Sequence, residues 1–243
     1  MTKTYIYHQM LGAAASRKRQ IAMLIDPDKF DEDWFRATAV HPNFEAIHYI
    51  FVGGSLLQNS PERCIAKIKK HCNRPVILFP GHASHIQGDA DALLLLSLIS
   101  GRNPEFLIGN HVIAAASIKA SGIETISTGY ILTGNKGSSS VEYMSNTSPI
   151  PSNKTDIAVA TALAGEMIGM KLIYLEAGSG AGETVPDSMI AAVRKSCNCV
   201  LLVGGGITTP EAIHQKFEAG ADIVVIGTAF ENNQLSLDDI KPC

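Results

Sequence analysis

The chain has 243 residues, which suits one domain of α/β-barrel size or two small ones. Apolar residues make up 46% and charged residues 18%, excluding a disordered or highly charged tail protein. Twenty basic side chains against twenty-three acidic leave a net charge of -3, without the basic stripe of a nucleic-acid binder, so no nucleic-acid partner is expected.

From the N-terminus, Met1–Gln20 carries its positive charges after an apolar stretch, unlike a secretory signal. Short apolar runs then recur, each leading into a polar or glycine-containing turn. They are Ile21–Ile25 before Asp-Pro-Asp, Ile47–Val52 before Gly-Gly-Ser, Val76–Phe79 before Pro-Gly, and Leu93–Leu96. Ile123–Ile131, Leu172–Leu175 before Glu-Ala-Gly, Val200–Val203 before Gly-Gly-Gly, and Ile223–Ile226 before Gly-Thr complete the set. Near-continuous Val, Ile and Leu predict strands covered by helices on both faces. The longest apolar run, Ala92–Ile99 interrupted by Ser97, is far below the ~20 residues of a membrane-spanning helix.

Helices are expected between several of the runs. Pro61–Cys72 has Ile65 and Ile68 on one side and lysines on the other. Thr155–Gly169 is alanine-rich, with Ser152 and Asn153 as candidate caps. Pro186–Ser196 and Pro210–Gly220 open on proline, which suits a first helical turn; Thr209 is the expected cap of the latter and Gly220 its stop. Eight buried strands alternating with helices predict a single-domain (β/α)8 TIM barrel over residues 1–243. The alternative is an open doubly wound sheet, but its phosphate turn normally follows the first strand, and here the glycine-rich turns follow the last three. Residues 134–154 form a long polar connection, read as an active-site flap or, alternatively, a mobile surface loop. The five cysteines lack a Cys-x-x-Cys pair: Cys197 and Cys199 are one residue apart, and Cys64, Cys72 and Cys243 stand alone. Free thiols in a reducing, cytoplasmic compartment are expected.

In parallel barrels the chemistry lies at the C-terminal ends of the strands, with phosphate on the loops after strands seven and eight. The sixth run ends in Tyr174-Leu175-Glu176-Ala177-Gly178-Ser179-Gly180, the seventh in Gly204-Gly205-Gly206 and the eighth in Gly227-Thr228. Such turns expose backbone N–H groups and together make a phosphate cup; singly, each is equally a tight strand-to-helix turn. Asp26 ends the first run and is either a ligand for a hard cation such as Mg2+ or a cap for the following helix. Ser55 is a weaker oxygen ligand or another cap. Glu176, flanked by Leu175 and Ala177, is a desolvated general base or one half of an ion pair across the mouth. His82, His85 and His111 form no ligand-like constellation.

Leu24-Ile25-Asp26-Pro27-Asp28-Lys29, Gly53-Gly54-Ser55, Phe79-Pro80-Gly81, Tyr174–Gly180, Gly204-Gly205-Gly206-Ile207 and Gly227-Thr228 together resemble the geranylgeranylglyceryl phosphate synthase family, the PcrB-like prenyltransferases. Glu142–Thr147 looks most like its second subgroup. The resemblance runs from about residue 20 to residue 230. It implies a modified TIM barrel, Mg2+, and an ether bond formed between sn-glycerol 1-phosphate and a polyprenyl diphosphate such as geranylgeranyl diphosphate. Asp26 and Ser55 match the family's metal positions. Tyr174, Leu175, Glu176, Ala177, Gly178, Ser179, Gly180, Gly205, Gly206, Gly227 and Thr228 match its glycerol-phosphate positions. It also implies a homo-oligomer, dimer or hexamer, and peripheral membrane contact for a lipid product. Some members carry a Lys where Leu24 stands here, which leaves open the cation that assists the cup. The residues alone also admit a sugar-phosphate isomerase or lyase, although Lys29 and Lys171 are poorly placed for a Schiff base. A non-catalytic phosphate-binding protein is the third reading.

Overall fold

Chains of Val, Ile and Leu hidden on both faces need helices outside and side chains inside, and a closed sheet supplies both. The computed structural model describes residues 5–86, 89–135, 137 and 139–240. In it β1 (Gln20–Ile25), β2 (Ile47–Val52), β3 (Val76–Leu78), β4 (Ala92–Leu98), β5 (Glu124–Leu132), β6 (Leu172–Glu176), β7 (Val200–Gly204) and β8 (Ile223–Ile226) are all parallel. They close in sequence order, β8 pairing back to β1, which makes the single-domain TIM barrel and excludes the open sheet. The register sets Tyr130 opposite Tyr174 and Glu176 opposite Gly204.

The barrel interior is apolar, built from inward side chains such as Ala22, Phe51, Leu94, Ile126, Leu202 and Val225. Its lower end is plugged by α1 (Ile6–Ala15), whose Ile6 and Met10 join that interior. Glu124 fixes the plug by accepting from the Ile6 and Tyr7 N–H groups at 2.6 and 2.9 Å. The candidate residues named from the strand ends lie at the opposite, upper rim. A second apolar layer joins the strands to α2 (Glu32–Ala39), α3 (Pro61–His71), α4 (Asn110–Ser121), α6 (Thr155–Met167), α7 (Asp187–Ser196) and α8 (Pro210–Glu218). α8 starts as expected, with Thr209 accepting from the Ala212 N–H. α6 does not: Ser152 and Asn153 lie in a turn closed by Lys154 N–H on the Pro151 carbonyl, too early to cap it, and its first turn has no side-chain cap.

Two departures from a regular barrel shape the rim. Among the described residues, β3 and β4 are joined by a 3-10 turn at Ala83–His85 and no α-helix. The long connection at 134–154 carries α5 (Ser140–Ser145), capped by Ser139 on the Glu142 N–H. Its ends are tied by a bridge between Thr133 and Ile150, and by Ile150 N–H on the Leu132 carbonyl at 2.9 Å. Lys136 and Ser138 of this connection, Met1–Thr4 and Cys243 lie outside the described residues. A last helix, α9 (Thr228–Glu231), follows β8 directly. No helix among the described residues is long and apolar enough to cross a membrane.

Candidate active site

The upper rim encloses a cavity of about 670 Å³. Asp26, Ser55, Tyr174, Glu176, Ser179, Gly180, Gly205, Gly206, Gly227 and Thr228 all line it, so the end of β1 and the three late glycine turns face one space. Leu175, Ala177 and Gly178 do not reach the wall. Leu175 and Ala177 are buried towards the helices, and the Gly178 N–H is spent on Glu176 Oε1 at 2.9 Å. The turns after β6 and β8 touch across the cavity, Ser179 Oγ lying 3.2 Å from Thr228 Oγ1.

Glycine is required where these turns meet Glu176. Gly205 holds φ +85°, and a Cβ there would lie 2.5 Å from Glu176 Oε1 and 2.7 Å from the Ala177 nitrogen. Glu176 is buried at the end of β6 and makes no ion pair among the described residues, which removes the salt-bridge reading. Burial pushes its carboxyl up to about 7, while the Tyr174 hydroxyl and the Gly178 N–H hold it down. A carboxylate that changes protonation near neutrality can take a proton and return it.

Below Glu176 lies an aromatic floor. Tyr130 and Tyr174 meet edge to face at 5.3 Å, and Phe79 packs edge-on to Tyr174 at 5.8 Å. Burial first and the Glu176 charge second raise both phenols well above 10, so both keep their protons. The Tyr174 hydroxyl is buried beside Glu176, off ideal hydrogen-bonding geometry, and its ring lines the cavity. Tyr130 was not singled out in the sequence; its inward position on β5, in register with Tyr174, is the signal that would have found it.

Asp26 does not cap the following helix. That role belongs to Asp31, which accepts from the Asp33 and Trp34 N–H groups. Asp26 Oδ1 instead accepts from the Asp28 N–H at 3.0 Å, and Oδ2 lies 3.9 Å from Lys29 Nζ. Burial raises the Asp26 carboxyl, opposed by the Asp28 N–H and by Lys29. Ser55 likewise is no helix cap, since Ser60 caps α3. Gly54 lies against Asp26, a Cβ there falling 3.6 Å from Oδ1. Lys29, weighed in the sequence only as a poorly placed Schiff-base lysine, and Glu231, which the sequence did not bring forward, also line the cavity and are joined at 2.9 Å.

Where the β3–β4 helix is missing, a narrow apolar groove of about 90 Å³ opens beside the cavity. Its lining includes Ile86, Leu95, Leu96, Leu98, Phe106 and, from α5, Met144. Gly54, Ser55, Phe79, Tyr130 and Val141 line both spaces. His82 and His111 stand on the groove wall, the latter bonded through Nε2 to the Leu96 carbonyl at 2.7 Å.

Residues 14–242 match the family model described as the PcrB family. A geranylgeranylglyceryl phosphate synthase of Chitinophaga pinensis is 46% identical over 227 residues, 93% of this chain and 90% of that one. One from Spirosoma linguale is 47% identical over 219 residues, 90% of this chain and 88% of its own. Among solved structures, (S)-3-O-geranylgeranylglyceryl phosphate synthase from Thermoplasma acidophilum in complex with its substrate sn-glycerol-1-phosphate shares the fold with a TM-score of 0.89. It is 31% identical, and the match covers 98% of this chain and 97% of that one. With matched residues spanning the whole barrel and relatives of this identity in sequence and shape, the chain belongs to the PcrB family.

Proposed function

We propose that this chain is a prenyltransferase that joins sn-glycerol 1-phosphate to a polyprenyl diphosphate, geranylgeranyl diphosphate in the first instance, and releases pyrophosphate. One observation carries the reading: a glycine-walled polar cavity holding a buried Glu176 opens directly into an apolar groove along Ser55, Phe79 and Tyr130. One compartment suits a small phosphorylated alcohol, the other an isoprenoid tail, whose methylenes gain about 0.8 kcal/mol each on burial. The relatives' names, and the glycerol phosphate bound by the Thermoplasma acidophilum enzyme, point the same way.

In this reading the turns at Ser179-Gly180, Gly205-Gly206 and Gly227-Thr228 hold the glycerol phosphate, and the Tyr174 hydroxyl donates to a glycerol oxygen. Glu176 takes the proton of the free terminal hydroxyl as that oxygen attacks the allylic carbon. The new C–O bond forms as the carbon–diphosphate bond breaks. Anchoring both reactants in one space supplies up to about 7–11 kcal/mol of the barrier reduction. The 134–154 segment acts as the flap, with Ser140 and Val141 on the cavity wall.

Asp26 and Ser55 fit Mg2+ by the chemistry of their donors. Both are hard oxygens, and the described residues contain no His, Cys, Asp and Glu group that could cage a metal alone. Mg2+ commonly binds through one or two protein oxygens, waters and substrate phosphates, and when bound it supplies charge neutralisation for a departing diphosphate. A sugar-phosphate isomerase or lyase is not favoured, because the lysine on the wall is half exposed and paired with carboxylates, far from a desolvated Schiff-base site. The proposal includes a homo-oligomer, peripheral membrane contact for the lipid product, and a cytoplasmic setting in which Cys64, Cys72, Cys197 and Cys199 remain thiols.

Purified enzyme given Mg2+, sn-glycerol 1-phosphate and geranylgeranyl diphosphate is expected to release pyrophosphate and form the ether. Asp26→Asn is expected to abolish turnover while glycerol phosphate still binds. Absence of product with every prenyl chain length tried would refute the transferase reading.

A further inference from the structure

Even with Mg2+ on Asp26 and Ser55 to offset a diphosphate, the cavity is short of full positive charge for two phosphorylated substrates. Three carboxylates line it, Asp26, Glu176 and Glu231, and among the described residues Lys29 is the only Lys, Arg or His on its wall. A phosphate monoester carries about -1.5 to -2 at neutral pH, and a diphosphate is an anion of the same chemistry. Backbone N–H groups bring partial charges only. The β8 turn has no cation of its own, because Leu24 is the side chain packed beside Gly227.

Lys29 stands where such an anion needs it. Its ammonium lies 2.9 Å from Glu231 and 3.9 Å from Asp26, and Glu231 is one helical turn beyond Thr228 of the glycine cup. Only one short contact engages its three donor protons. The side chain is 55% exposed and its stem is flexible, so it can move without disturbing the core. Glu231 is the more buried partner, its side chain 17% exposed, so the ammonium and not the carboxylate is the group free to turn toward a ligand.

We propose that Lys29 is a phosphate-binding residue of this site and that Glu231 is its resident counterion, exchanged for phosphate oxygens when a substrate enters. The proposal rests on the transferase reading for the identity of the substrates, but its chemistry is that of a phosphate group on either one.

The test compares the full-length enzyme with Lys29→Gln and Glu231→Gln, the thermal midpoint of each checking that it folds. Lys29→Gln is expected to raise KM at least tenfold for one substrate; a rise for sn-glycerol 1-phosphate assigns the ammonium to that phosphate, and a rise for geranylgeranyl diphosphate assigns it to the diphosphate. Glu231→Gln, which frees the ammonium, is expected to lower the same KM severalfold. Both KM values staying within twofold of wild type in both variants would overturn the proposal. If Lys29→Gln does not fold, Glu231→Gln decides alone: a lowered KM supports the exchange and an unchanged one overturns it. Calorimetric titration with inorganic phosphate and with pyrophosphate separates this proposal from the reading it rests on. Weaker binding of either anion to Lys29→Gln supports the site even if no prenyl transfer is found. Equal binding of both refutes it even if transfer proceeds.

Discussion

Glu176 concentrates the site's chemistry because it is buried and yet lines the cavity. Burial raises its carboxyl to about 7, so near neutrality it is shared between acid and base forms. If the ionised form takes the proton of the attacking hydroxyl, kcat/KM rises with pH and levels off above about 7. Glu176→Gln is expected to lower kcat by about 10²–10⁴-fold, leave KM for glycerol phosphate within a few fold, and remove the rise in the pH profile. A defect in KM alone would exclude it as the base. The same residue has a stability signature. Its folded pKa lies above the unfolded carboxylate value of about 4.3, so between those values the folded state binds more protons. Wild-type stability therefore falls as pH rises from about 4 to about 7, by up to about 1.4 kcal/mol per pH unit from this group, and Glu176→Gln is spared that loss. Thermal melts of the two proteins at pH 5 and pH 8 measure it: the variant gains on wild type at the higher pH.

Turns, more than strands, decide what this barrel binds. The turn after β7 packs against the end of β6, and at Gly205 both the positive φ and the approach of Glu176 forbid a side chain. Gly205→Ala is expected to cost about 1–3 kcal/mol from backbone strain, more where the Cβ cannot be accommodated, and to displace Glu176. A lowered thermal midpoint together with weakened glycerol phosphate binding in calorimetry is the expected pair; an unchanged pair would mean the turn has room that its contacts deny. These turns were legible in the sequence because glycine runs straight after buried strands have few physical causes. α5 was not. Six residues give too little periodicity, and the helix is held by its Ser139 cap within a connection whose ends the Thr133–Ile150 bridge ties. The groove was hidden for a related reason, since among the described residues no α-helix joins β3 to β4, and residues from 54 to 144 meet in space around it. Lys29 and Glu231 are 202 positions apart in sequence, so their pairing was beyond any local pattern.

At the scale of the whole molecule the outer surface is uneven. α4 and the π-helical turn before it, Glu105–Gly109, expose Ile108, Val112 and Ile113 at 58%, 70% and 69%, and α6 with the residue after it exposes Met167 and Ile168 at 79% and 73%. These helices follow the neighbouring strands β4 and β5, so the two apolar strips lie on one side of the barrel. Burying five such side chains yields about 1.5–3 kcal/mol each, comparable to the roughly 4–15 kcal/mol of freedom lost on association. The homo-oligomer proposed above would use this side, a two-fold axis laying each strip on its counterpart and covering both at once. The double variant Val112→Glu, Ile113→Glu places four new carboxylates at such an interface, two from each copy. Both positions are already exposed, so the isolated fold loses little by the change. Sedimentation velocity at micromolar concentration is expected to find wild type as a dimer or larger and the variant as a monomer with a nearly unchanged thermal midpoint. A wild-type monomer, or a variant that sediments like wild type, would show that this side of the barrel is not where copies meet.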